Sequence, residues 1–586
     1  MRLLLSVFLL ALVFPAQASS LPPEPGSRGV CITEWDRGER IEIPVEVVGT
    51  MTGGGPDRDI LLVRLLDPRF VDAGVVSGMS GSPVYVGGTL VGAIAFGWQF
   101  AREPLAGVTP IARMEAIQAT AGDRNTPVRT PLALDQLTSL AAGTITPAEV
   151  LALFPRLEGS GAAPITLSGL PQPDGFGRSL LGEAGVSTVI GGNDGSLTGI
   201  PDEGGMVAVL LVWGDATVAA AGTVTSRNDD RLLAFGHPLF GLGNLTLPAA
   251  PARVLAVQRS FQLAFKMYEV GEPFGALVAD RPAGILVRPG LHVAGLPVHV
   301  RVKDGAGEHA WQFQVAPHPL LQPLLITFLA NACLTARSSQ SGDVTVGLSQ
   351  TVAFQDGRAV ELRQTLRGAD ARARAATLAG ALVDLLANSP YPGPGLRRVE
   401  LVLEQQEDAP GAQVLQVLPS RTSLRAGQEL LVTVRLQALR GHVWEERLRL
   451  TVPRSTPPGP LDLIVSDGAA WSDYLIRQRG VVPSRFDDQL AAVALLEPAT
   501  TLVAALENRD RGVAVAGRPQ PALPPSWAAT LAAGLGRTGL QRLTTSPVVV
   551  LHTPGAIPLT GAFRIPLTIL DGPRGETPAG AGTREP

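Results

Sequence analysis

GVVSGMSGSPVYVGGTLVGAIAFGW, residues 74–98, decides how this chain is read. Gly87-Gly88 between PVYV and TLVGAIAFGW is a two-residue hairpin signal. Ahead of it, Gly78 to Pro83 packs glycine and serine between apolar runs, and two readings compete. The stretch is either a polar bend between strands or a sharp turn that exposes a nucleophile. A nucleophilic serine needs an exposed hydroxyl and nearby backbone N–H groups aimed at the oxyanion of a tetrahedral intermediate. Glycines on both sides of Ser80 permit that backbone. Ser80 is therefore the candidate nucleophile, and the N–H groups of Gly78 and Ser80 are the candidate oxyanion hole.

Outward from this turn, Ile41 to Met51 and Asp59 to Leu66 read as strands, and EPLAGVTPIARMEAIQ as a strand entering a short helix. The resulting organisation is a Ser-bearing β module (19–125) and a connecting segment (126–185), in which Thr146 and Glu149 stand at capping-box spacing. A second β module follows (186–335), opening with three strands joined at Gly214-Asp215 and Asn228-Asp229-Asp230. A mixed α/β segment (336–410) holds an apolar helix from Ala371 to Asn388. An immunoglobulin-like sandwich (411–468) and a mixed C-terminal region (469–586) complete the chain.

The first residues carry Arg2, an apolar run from Leu3 to Phe14 and Ala16-Gln17-Ala18. This pattern predicts an export signal, 1–18, cleaved after Ala18 and leaving a periplasmic or extracellular protein with no stable membrane span. A net charge of −4 without basic blocks argues against a nucleic-acid partner. The chain lacks H-E-x-x-H, C-x-x-C and Walker patterns, so no metal or cofactor is expected. Cys31 and Cys333 could form one bridge at most. The 66 glycines, 50 prolines and many short β-branched runs predict a mainly β fold.

The serine stretch resembles the equivalent region of chymotrypsin-like peptidases, and more closely that of the SpoIVB peptidase family. That family's G-M-S-G-S-P is matched at Gly78 to Pro83, and its G-x-L-x-G-A at Gly88 to Ala93. Gly222-Thr223-Val224-Thr225 and Ala234-Phe235-Gly236-His237 are similar to its G-T-L-T and A-L-G-H. The resemblance implies a chymotrypsin-like β-barrel core, serine endopeptidase activity on a protein or peptide substrate, and His237 as the base. It also implies Asp67 as the acid, a little upstream of the serine. In the family the histidine precedes the serine, whereas here His237 follows Ser80, so either the Ser and His modules are exchanged along the chain or one of them is a relic kept for packing.

Among seven histidines, only His237 ends an apolar strand after a glycine and precedes a proline, a position suited to a site residue. Lys266 and Lys303, the only lysines, lie in no motif, so a Ser-Lys pair is set aside. The competing reading is a catalytically inactive peptidase-fold envelope protein that serves as a binding or scaffold module.

Overall fold

Alternation along the chain closes the first barrel. In the strands Arg40–Met51 (β2) and Ile60–Leu65 (β3), every second residue points inward, and Ile43, Val45, Val47, Leu61 and Val63 fill the interior. With Arg28–Glu34 (β1), Pro83–Val86 (β4), Thr89–Phe96 (β5) and Leu105–Pro110 (β6), they form a closed six-stranded antiparallel barrel ordered β1-β2-β3-β6-β5-β4.

The computed structural model describes residues 22–571 apart from 53–58, 99–100, 119–129, 155–164, 172–173, 184–187, 261–263, 337–341, 408–410, 440, 480–482, 484 and several stretches between 509 and 545. The expected signal segment and its cleavage position lie outside the described residues.

Three short strands, Ile165–Ser168 (β7), Thr188–Ile190 (β8) and Gly192–Asn193 (β9), precede the second β region. Its strands are Met206–Gly214 (β10), Thr217–Arg227 (β11), Leu232–Ala234 (β12), Gly243–Gln258 (β13), Phe265–Val270 (β14), Gly275–Arg281 (β15) and Gly284–Pro289 (β16). Here β10 pairs with β11, β11 with β12, β12 with β16, β16 with β15, β15 with β13, and β13 returns to β10, all antiparallel. This is a second six-stranded ring, with β14 attached outside it along β13. Numbered within the ring, its order is first, second, third, sixth, fifth, fourth, the same as in the first barrel. The turn containing Ser80 joins the third and fourth strands of one barrel, and the loop containing His237 joins the third and fourth strands of the other.

Residues 206–212 and 217–225 are buried without alternation, because both faces of β10 and β11 are covered. The sheet continues from β10 through the hairpin of Leu296–Asp304 (β17) and Gly307–Val315 (β18) to the strands between 344 and 406. Against these pack the helices Gln322–Thr335 and Ala371–Ala387, the latter ending one residue before the expected Asn388. In the connecting segment the capping box forms as read: Thr146 N donates to Glu149 Oε2 at 2.7 Å, and Glu149 N to Thr146 Oγ1 at 3.3 Å.

Two further sheets share one apolar core that includes Val414, Val432, Val434, Leu463, Leu502 and Leu567. One of these sheets runs Val443–Thr451, Glu429–Ala438, Ala412–Pro419, Leu559–Thr560, and the other Ser423–Leu424, Ala562–Ile569, Gly459–Asp467, Thr501–Asn508, Ser546–Pro554. The sandwich expected over 411–468 therefore draws strands from as far as residue 569. A sequence window cannot show this, because the closing strands follow a long insertion. Cys31 and Cys333 are both buried and free, so the bridge left open by the sequence is not formed. Among the described residues no helix is long and apolar enough to cross a membrane.

Candidate functional site

The serine turn is seated on β11. Thr223 N donates to Ser80 O at 2.7 Å, Thr223 Oγ1 to Gly78 O at 2.9 Å, and Thr225 Oγ1 to Gly81 O at 2.7 Å. The G-T-V-T segment thus clamps three carbonyls of the turn. From the other side, Gly81 N donates to Ile94 O at 2.6 Å and Ile94 N to Ser82 O at 2.9 Å. Gly81 has φ +97°, and a Cβ there would lie 1.9 Å from Thr223 O and 2.5 Å from Phe235 N. Only glycine fits.

Ser80 is 8% exposed. The N–H groups of Gly78 and Ser80 donate to no acceptor among the described residues. Two unspent donors, one on the candidate nucleophile itself and one two residues before it, are free to meet an oxyanion. Ser82 is different: it is fully buried, with Oγ 2.9 Å from Thr33 Oγ1.

The histidine loop begins at Phe235, a buried non-glycine residue at φ +72°, followed by Gly236 at φ +69°. Such a backbone costs on the order of 1–3 kcal/mol and persists only where its surroundings enforce it. Here the Phe235 ring lies over Gly222, and Thr109 Oγ1 donates to Gly236 O at 2.6 Å. The two left-handed residues turn the chain sharply just before His237. Its Nδ1 lies 2.8 Å from Pro238 O, and its Nε2 is buried without a hydrogen-bond partner among the described residues. A carbonyl oxygen only accepts, so Nδ1 carries the proton of the neutral ring and Nε2 presents a lone pair. Burial lowers the His237 pKa from 6.5, opposed by the Pro238 carbonyl.

Ser80 and His237 are not hydrogen-bonded to each other, although their loops touch where Gly81 meets Phe235. Asp67 is not joined to His237 either. Its carboxylate receives Arg69 N at 2.9 Å and Arg69 Nη2 at 2.7 Å, and the Arg69 guanidinium holds its pKa below the ordinary value. Arg69 in turn lies over the Trp35 ring.

A carboxylate the sequence reading missed organises the histidine loop. Asp280, 1% exposed at the end of β15, accepts Leu239 N at 2.7 Å, Phe240 N at 2.8 Å and Leu242 N at 3.2 Å. Burial raises its pKa against the pull of these donors. Nothing in the local sequence Val278-Ala279-Asp280-Arg281 marks it, since its partners lie 38 to 41 residues earlier in the chain. Among the described residues no group of three His, Cys, Asp or Glu side chains is placed to hold a metal ion.

No family model matches the chain, and no curated protein and no solved structure matches it either.

Proposed function

We propose that this chain is an exported serine endopeptidase of SpoIVB type with a chymotrypsin-like double-barrel core. The observation that carries the reading is the shared strand order of the two barrels. It presents Ser80 and His237 from corresponding connections, with their loops in contact. The exchanged motif order then becomes an exchange of two similar barrels along the chain.

In this reading Ser80 Oγ attacks the carbonyl carbon of a peptide bond while His237 Nε2 takes its proton. The N–H groups of Gly78 and Ser80 bind the resulting oxyanion. The imidazolium passes its proton to the departing amine, leaving an acyl-enzyme. Water then attacks the ester, His237 takes the water's proton, and Ser80 recovers it as the acid product leaves. The Pro238 carbonyl holds the tautomer, and Asp280 fixes the loop. Asp67 would have to release Arg69 to serve as the acid.

One observation favours the second reading, a non-catalytic binding module: Ser80 and His237 make no hydrogen bond. Hydrogen bonds of this kind can tighten only with substrate present. A fluorophosphonate probe decides between them. Labelling at Ser80, lost in Ser80→Ala, supports the peptidase; a folded protein that is not labelled at any pH supports the binding module.

A further inference from the structure

Beneath the serine turn lies a fully buried lysine. Lys266 stands at the start of β14, and its backbone N–H donates to Ser77 O at 3.0 Å while Ser77 N donates to Ala264 O at 2.8 Å. Its stem supports Gly78, where an added Cβ would stand 3.1 Å from Lys266 Cδ. Its Nζ reaches Thr33 Oγ1 at 2.8 Å, and Thr33 Oγ1 also meets Ser82 Oγ at 2.9 Å. Ser82 N donates to Met79 O, so this chain of contacts returns to the residue preceding Ser80.

We propose that Lys266 is a positioning residue of the serine turn, its stem supporting Gly78 and its amine holding Ser82 through Thr33. This rests on the reading of Ser80 as the nucleophile. A leucine or methionine would fill the same space without the cost of burying an amine. The groups facing that amine are Glu34 and Cys31 on β1 and Met206 Sδ on β10 at 3.6 Å, with Arg40 on β2 acting on Glu34. The turn contributes no titratable group. Burial draws Lys266 down to about 7, against the pull of Glu34. The ammonium makes a charge-assisted bond to Thr33 that the neutral amine makes only weakly. Loss of the proton therefore loosens Ser82 and the turn.

The test joins two measurements on the full chain. With only two lysines, ¹³C-lysine labelling gives two signals to follow against pH, while ¹³C-methyl labelling reports Met79 in the turn. The expected result is a Met79 shift with the midpoint of Lys266, and a Ser80 labelling rate that falls toward about tenfold per pH unit above that midpoint. Lys266→Gln should remove the fall. Thr33→Val, which leaves Lys266 titrating, should uncouple Met79 from it and serves if the first variant does not fold. A Met79 shift that ignores the Lys266 titration, or an unchanged rate profile in Lys266→Gln, overturns the proposal. If Met79 follows Lys266 but Ser80 is never labelled, the hold on the turn stands and the peptidase reading falls.

Discussion

His237 Nδ1 lies 2.8 Å from the carbonyl oxygen of Pro238, the next residue in the chain. That contact fixes the ring's tautomer without a carboxylate. Because burial lowers the His237 pKa, the neutral base persists to lower pH than an ordinary histidine allows. On its acid limb the labelling rate at Ser80 should rise with pH and reach half its maximum below pH 6.5, ahead of the fall expected from Lys266. A midpoint at or above this value in the rate profile counts against His237 as the base.

The two serines of the turn separate by burial. Ser80→Ala should abolish labelling, with a loss on the order of 10⁴–10⁶ in peptidase kcat. Ser82→Ala removes one of the two contacts to Thr33 Oγ1, the other being Lys266 Nζ, and should cost about 0.5–1.5 kcal/mol of stability with a smaller rate effect. Urea denaturation and labelling kinetics on both variants check this.

Asp67 and Asp280 are distinguished in the same way. Asp67→Asn disturbs the Arg69 clamp and should change labelling by no more than a few fold. Asp280→Asn can no longer accept all three loop N–H groups with two equivalent oxygens, so it should slow labelling by roughly tenfold or more through misplacement of His237. The reverse ranking would restore Asp67 as the acid.

How far the sequence can be read follows from the range of each interaction. The strand alternation of β2, the Gly87-Gly88 hairpin and the Thr146–Glu149 box are local, and residues a few positions apart show them. The clamp of Thr223 on Gly78 spans 145 residues and that of Thr225 on Gly81 spans 144. No window reveals such pairings, although the G-T-V-T motif marks where to look. Lys266 lies in no motif; its significance comes from burial under the turn.

Lys266 also predicts a stability trend. Its folded pKa, about 7, lies below the ordinary 10.5, so between these values the unfolded chain binds a proton that the folded chain lacks. Stability should therefore rise with pH across this window, by at most about 1.4 kcal/mol per unit. Below about pH 7 both states are protonated, the slope vanishes, and the burial penalty is fully present. Lys266→Met removes the titrating group and should flatten the rise, measured as the urea midpoint at several pH values between the folded and unfolded pKa. Glu34→Gln, which removes the charge that favours the ammonium, should shift the start of the rise to lower pH. Equal slopes in the wild type and Lys266→Met would show that the amine keeps its proton in the folded chain throughout this range, and the turn would then have no switch beneath it.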